Sequence, residues 1–206
     1  MTPPNNDKCL HAAYAVCQGI AKREARNFYY AFVTLPPPKR RAIYAVYAFS
    51  RIADDIADGA GTPREKRDQL SDLRNRLHKA LTGDPEGPVL IALGDAAKRY
   101  VIPESLLQDL ISGMEMDITN QRFVTFNDLR RYCYHVASVV GLISIQVFGH
   151  VDDPRVHGYA VDFGLAMQLT NILRDLREDI ERDRVYLPQD ELERFGYTET
   201  DLRAGV

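Results

Sequence analysis

Asp54, Asp55 and Asp58 lie in the run Tyr47-Ala-Phe-Ser-Arg51-Ile-Ala-Asp54-Asp55-Ile-Ala-Asp58, the first in the chain whose residue types and spacing could do chemistry. Positions 47, 51, 54 and 58 follow i, i+4, i+7, i+11 and share one helix face. Val46, Phe49, Ile52, Ala53 and Ile56 surround them with apolar surface, so the acids are set into an otherwise core-forming helix. Carboxylates one turn apart repel by about a few tenths of a kcal/mol in an exposed helix, and by more once desolvated, which calls for positive charge between them. Alone, the run reads either as a solvated helix end answered by Arg51 and nearby basic residues, or as half of a cation site.

A second run, Gln168-Leu-Thr-Asn171-Ile-Leu-Arg174-Asp175-Leu-Arg-Glu178-Asp179, decides between them. Asn171, Asp175 and Asp179 stand at i, i+4, i+8 on one face, flanked by Gln168 and Glu178. An amide and two carboxylates at one-turn spacing form an all-oxygen edge suited to a hard cation such as Mg²⁺, which keeps waters and takes its remaining ligands from phosphate. Arg184 and Tyr186 follow, so a guanidinium able to make paired hydrogen bonds to phosphate lies next to that edge. Two acid stripes, each with an arginine nearby, could hold a diphosphate from both sides through bridging Mg²⁺.

The elements that must carry these stripes are helical: most segments follow i, i+3, i+4 patterning, and no run alternates with period two between hairpin turns. The class is all-α and single-domain over residues 1–206, since no linker long enough to divide domains appears. Asp7 can cap a helix reaching about Arg26, and Pro36-Pro37-Pro38 breaks the chain before a helix over about 39–59. Thr62-Pro63 opens another to about Leu81, with further helices predicted over 89–100, 103–118, 126–148 and 154–183. Thr198 to Arg203 looks like the start of one more.

Lys plus Arg number 26 against 29 Asp plus Glu, a net charge of −3 that gives none of the basic footprint nucleic-acid binding needs. Three cysteines without CxxC spacing cannot form a closed disulfide framework, and no basic-then-apolar leader precedes Lys8, so a reducing cytoplasm is expected. The uncharged stretch Tyr132 to Gly149 just reaches the length of a membrane span, but its polar interruptions favour a buried bundle helix. His11, His78, His135, His150 and His157 show no metal-site spacing and read as structural or surface residues.

Asp54-Asp55-Ile-Ala-Asp58, Asn171-Ile-Leu-Arg-Asp175-Leu-Arg-Glu-Asp179 and Arg184-Val-Tyr186-Leu-Pro188 together resemble the paired signature of squalene/phytoene synthases. The likeness extends through Phe28-Tyr29-Tyr30-Ala31, Gly113-Met114-Glu115-Met116-Asp117 and Tyr132-Cys133-Tyr134-His135-Val136-Ala137. It implies a helical bundle around a central cavity with aspartates at its mouth and prenyl tails in an apolar tunnel. Asp54 and Asp58 would hold Mg²⁺ on one wall and Asn171, Asp175 and Asp179 on the other. Arg51, Arg174 and Arg184 would steady diphosphate, Tyr47 would lie near the ionising carbon, and Gln168, Tyr186, Phe28 and Asn27 would join the substrate site. The reaction implied is head-to-head condensation of two C15 or C20 allylic diphosphates to a cyclopropyl diphosphate, with NADPH needed only if the product is squalene. Peripheral membrane contact for product release would accompany it.

By the same resemblance the family's chain continues for several helices past residue 206, so a C-terminally incomplete bundle is expected. Relatives often carry serine where this chain reads Ala25-Arg26-Asn27, leaving Arg26 or Asn27 to replace a hydroxyl contact to phosphate, and Arg177 adds a side chain where altered loop packing is expected. Asp117 reads equally as a cavity residue or an exposed acid near a helix end, and Tyr132, Tyr134 and Phe148 as tunnel wall or core. A chain-elongating synthase would show a second DDxxD, whereas Asn171, Asp175 and Asp179 are spaced singly. A non-catalytic assembly factor would not need both acid stripes.

Overall fold

The computed structural model describes residues 4–25, 27–119 and 122–205. Its helices are α1 Pro4–Glu24, α2 Asn27–Val33, α3 Pro37–Asp58, α4 Pro63–Thr82, α5 Pro88–Tyr100, α6 Glu104–Asp117, α7 Phe126–Cys133, α8 Val139–Phe148, α9 Arg155–Glu181, α10 Gln189–Arg194 and α11 Glu199–Ala204. A π turn, Tyr134–Ser138, joins α7 to α8 without a break, so the predicted helix over 126–148 is present but locally widened. Two short helices, α2 and α10, stand where the sequence reading placed none. The only β pairing among the described residues is the isolated parallel bridge Arg122↔Val185.

Local chemistry sets the helix starts. Thr62 and Glu65 form a reciprocal capping box at α4, as do Thr125 and Asp128 at α7 and Thr198 and Asp201 at α11. Prolines occupy the first turn of α3, α4 and α5, where a missing N–H costs nothing.

The larger core joins α1, α3, α4, α5, α6 and α8 through Tyr44, Phe49, Leu73, Leu93, Leu107, Ile111 and Ile143. Burying one side chain such as Phe49 stabilises the fold by about 2–3 kcal/mol. A smaller core of Phe123, Leu129, Tyr132, Cys133 and Ile172 ties α7 to α9, with Tyr186 and Leu187 packed on it. Cys17 and Cys133 are buried thiols and Cys9 an exposed one, all three free of disulfides. No helix of the described residues is long and apolar enough to cross a membrane. The 132–149 stretch instead buries Val139, Leu142, Ile143 and Val147 in the bundle.

The approach of α9 to the π turn is backbone against backbone. A Cβ on Gly164 would lie 2.4 Å from the Cα of Ser138, and one on Gly141 would lie 2.7 Å from the carbonyl oxygen of Ala160. The Ser138 hydroxyl donates to the Val161 carbonyl at 2.7 Å across this seam. The seam fixes α9, and with it the second acid stripe, against α8.

Candidate active site

Asp54 and Asp58 sit in the last turns of α3, and Val46, Phe49, Ala53 and Ala57 on its other faces are buried, which turns the acid face toward the site. Arg51 reaches Asp54 at 2.7 Å and Asp55 at 2.6 Å, answering the repulsion that the spacing demanded. Burial holds the Asp54 carboxyl above the usual carboxylate range, Arg51 opposes that rise, and the like charges of Asp58 and Asp55 add to it. Tyr47, half-buried on the same face, packs edge-on against Phe32 of α2 at 6.3 Å, and burial raises its phenol pKa against the pull of Arg51.

On α9, Asn171, Asp175 and Asp179 are all half-buried while Arg174, Arg177 and Glu178 face solvent, so the predicted stripe is the inward one. The Asn171 amide donates to Gln168 Oε1 at 3.4 Å, and Arg174 forks onto Asp175 at 2.7 and 2.5 Å. That fork lowers the Asp175 pKa. Asp179 is raised instead, by burial first, with Arg184 opposing. The altered loop packing expected at Arg177 is not found: the residue lies inside α9 with its side chain in solvent, near Glu181 at 3.7 Å, and the helix runs past it unbroken.

Arg184 joins the two walls. Its backbone N–H donates to the Asp179 carbonyl at 2.8 Å, and its guanidinium donates to Asp58 Oδ1 at 2.9 Å, 126 residues away in sequence. Burial works against the charged guanidinium, yet the Asp58 hydrogen bond and the nearby carboxylates leave its pKa above the usual arginine value. Asp54, Asp117 and Asp179 all feel this one cation, so the ends of α3, α6 and α9 meet around it.

Beneath it lies a group whose role the sequence left open. The Tyr132 hydroxyl donates to Asp117 Oδ2 at 3.3 Å, and the Tyr132 ring stacks on Tyr186 at 5.2 Å and contacts Phe123 at 5.4 Å. With Met116, Thr119 and Arg184 these residues line a cavity of about 10 Å³, room for one water at most. Burial pushes the Asp117 carboxyl up to about 6, and burial with the Asp117 charge pushes the Tyr186 phenol up to about 12. Residues 117, 132 and 186 share no helix, so no spacing rule could have grouped them.

The Asp117 shift has a definite sign. The native state keeps this proton well above the pH at which an unfolded aspartate, pKa ~3.9, releases it. The contribution to stability is therefore full below about pH 4 and is lost as pH rises through about 6. Asp117→Asn removes that dependence, and urea midpoints from pH 4 to 7 are expected to show wild type losing stability relative to the variant as pH rises. A constant difference would mean that burial leaves this carboxyl unperturbed.

Among the described residues, no three histidine, cysteine or carboxylate side chains converge to hold a metal ion by themselves. The donors are nonetheless all oxygen, and Asp54 and Asp179 are desolvated carboxylates whose charge is incompletely answered, which fits a hard cation completing its shell with phosphate and water. Phe28, stacked on Phe32 at 6.4 Å, is 59% exposed. Arg26 lies outside the described residues, as does the side chain of Asn27. Tyr159, Phe163 and Met167 precede Asn171, Asp175 and Asp179 on one i, i+4 ridge of α9, and all three apolar members face solvent, Phe163 at 67%.

A family model described as squalene/phytoene synthase matches residues 21–206. A 15-cis-phytoene synthase from Synechococcus elongatus is 39% identical over 96% of this chain and 68% of its own. A phytoene synthase from Mycobacterium tuberculosis is 41% identical over 91% and 61%. The solved squalene synthase of Alicyclobacillus acidocaldarius superposes with a TM-score of 0.88 at 30% identity, over 95% of this chain and 73% of that one. Fold and site thus define an all-helical protein of the isoprenoid synthase type. The chain belongs to the squalene/phytoene synthase family, and it spans 61–68% of the length of the two phytoene synthases just described.

Proposed function

We propose that the chain carries the diphosphate-binding walls of a Mg²⁺-dependent, head-to-head condensation of two allylic prenyl diphosphates, farnesyl or geranylgeranyl, to a cyclopropyl diphosphate. The observation that carries this reading is the meeting of the two acid stripes around Arg184, which follows α9 and donates to Asp58 of α3 at 2.9 Å, so that oxygen donors and a guanidinium converge where a diphosphate could bridge them. The names of the relatives support the same reaction class.

Asp54 and Asp58 would hold Mg²⁺ on one wall, and Asn171, Asp175 and Asp179 on the other. Bound there, Mg²⁺ neutralises the charge that develops on the leaving diphosphate. Arg51, Arg174 and Arg184 would exchange their carboxylate partners for phosphate oxygens, a guanidinium fork fitting either equally well. The chemistry needs no covalent nucleophile: diphosphate leaves one substrate with the bonding electron pair, the double bond of the other attacks the resulting allylic cation, and the tertiary cation so formed closes to the cyclopropane as the former allylic C1 gives up a proton to the released diphosphate. Tyr47 would lie near the ionising carbon, with Gln168, Phe28 and Tyr186 lining the site.

Mg²⁺ and a non-hydrolysable prenyl diphosphate analogue together are expected to raise the melting temperature well beyond the sum of their separate effects, because bridging ions need acids and phosphates at once. Additive shifts in a thermal scan would argue against a bridged site. Turnover is read by mass after incubating farnesyl or geranylgeranyl diphosphate and Mg²⁺, with and without NADPH, with the sequence carried to the length of its relatives. A joined hydrocarbon or cyclopropyl diphosphate is expected from at least one substrate. Elongation on adding isopentenyl diphosphate, with no joined product, would overturn the reading.

A further inference from the structure

Arg184 touches α3 from the far end of α9, and it sits in an irregular segment whose shape something must hold. Its N-terminal neighbour Asp183 has a left-handed backbone, φ +59°, a conformation that residues with a side chain rarely adopt unless their surroundings hold it. Arg122 holds that residue twice, donating to the Asp183 carbonyl at 3.0 Å and to Asp183 Oδ1 at 2.9 Å. The C-terminal neighbour Val185 forms the parallel bridge with Arg122 itself. Two further bonds tie the start of α10 to the residues after Arg122, from the Gln189 N–H to the Phe123 carbonyl at 2.9 Å and from the Asp190 N–H to the Val124 carbonyl at 3.1 Å. One residue thus fixes the backbone on both sides of Arg184.

Arg122 is in turn held by α11: its guanidinium donates to Glu199 Oε2 and Oε1, both at 2.9 Å. Arg203 donates to Glu199 Oε1 at 2.7 Å and also to Asp183. Two arginines and two carboxylates make a closed network, and the Arg122 side chain is only 24% exposed. A network that bonds one half-buried arginine to two carboxylates at once holds geometry in a way that an isolated surface pair does not.

We propose that Arg122 is a positioning residue for Arg184: through Asp183 and Val185 it aims the Arg184 guanidinium at the mouth between α3 and α9, and Glu199 of α11 locks it in that role. Arg122 itself touches neither acid stripe. The ligand that would take Arg184 from Asp58 is the diphosphate of the proposed function, on which this part of the inference rests.

Two measurements separate the inference from that reading. Trypsin cuts after Arg182 and Arg184 only if their segment opens, so peptides ending at these residues report the clasp with no ligand present. Arg122→Ala is expected to release them about tenfold faster than wild type at a temperature where both are folded. Glu199→Gln, which leaves the Asp183 contacts in place, should give a smaller acceleration and keeps the series readable if Arg122→Ala loses its fold.

The second measurement is calorimetric titration with farnesyl thiodiphosphate in Mg²⁺. Arg184→Ala and Arg122→Ala are each expected to weaken binding about tenfold, with the double variant hardly weaker than either, because Arg122 acts only through Arg184. Unchanged cleavage in both variants, or losses that add in the double variant, would overturn the inference. Absence of binding by wild type would sink the proposed function, with the clasp still judged by its proteolysis.

Discussion

Asp54→Asn and Asp175→Asn are each expected to lower turnover by at least about a hundredfold at saturating Mg²⁺ while leaving helical content unchanged. Each swaps a carboxylate for an amide of the same size, so only charge is lost, and electrostatic stabilisation of a leaving group depends on that charge. The fold should tolerate the change. Asp54 is desolvated beside like charges, and Arg51 keeps Asp55 as a partner when Asp54 is neutralised. Asp55→Asn is the informative control, since that side chain is 58% exposed and faces Arg51, and it should cost less than about tenfold. Near wild-type turnover in either first variant would remove its residue from the metal wall. Equal losses at 54 and 55 would show that the whole acidic turn matters and not the inward face.

The arginine pairs give these numbers a structural meaning. Arg51 with Asp54 and Asp55, Arg174 with Asp175, and Arg184 with Asp58 leave most of the acids neutralised at short range. Exposed pairs of this kind contribute about 0–1 kcal/mol each to stability, so exchanging them for phosphate and a cation costs little. Three guanidiniums face the carboxylates of Asp54, Asp55, Asp58, Asp175 and Asp179, so the walls keep a net negative charge that a cation bridging to phosphate would answer.

How much of this was legible in the sequence depended on range. Both acid stripes were readable because a helix converts spacing into a shared face, and α3 and α9 extend over nearly the predicted segments. Helix starts at Pro63, Phe126 and Glu199 followed from Thr62, Thr125 and Thr198, each capped locally. The Arg184 to Asp58 contact spans 126 residues and depends on how α9 meets α3, which no local pattern encodes. The Asp117, Tyr132 and Tyr186 group has the same origin. The α2 segment escaped because Asn27–Val33 is nearly all apolar or aromatic and too short for a 3.6-residue period to emerge. The π turn escaped because no local residue pattern marks it and it packs against α9 at long range, where glycine lets another backbone come close.

That close contact sets the largest expected effect on stability. Gly164→Ala would place a Cβ 2.4 Å from the Ser138 Cα, 2.6 Å from the Ser138 nitrogen and 2.8 Å from the Ala137 carbonyl carbon, all backbone atoms that no rotamer change can move. Either the π turn or α9 must shift, and overpacking of this rigid kind costs about 3 kcal/mol or more. At about 2–4 °C per kcal/mol for a chain of this size, the melting temperature should fall by about 10 °C. Gly158 lies nearly two turns earlier in α9, and a Cβ there would meet nothing within 4 Å, so Gly158→Ala should gain about 0.5–1 kcal/mol from helix propensity and unfolded-state entropy. The two variants add the same methyl group to the same helix, so their opposite signs isolate the contact from the propensity. Ser138→Ala should fall between them, costing about 1 kcal/mol for the lost bond to the Val161 carbonyl. Because α9 carries Asn171, Asp175 and Asp179, the Gly164 variant should also weaken binding of Mg²⁺ with a prenyl diphosphate analogue at temperatures where it remains folded. A Gly164→Ala melting temperature within about 2 °C of wild type would mean that α9 and the π turn do not meet closely enough to exclude a Cβ at position 164.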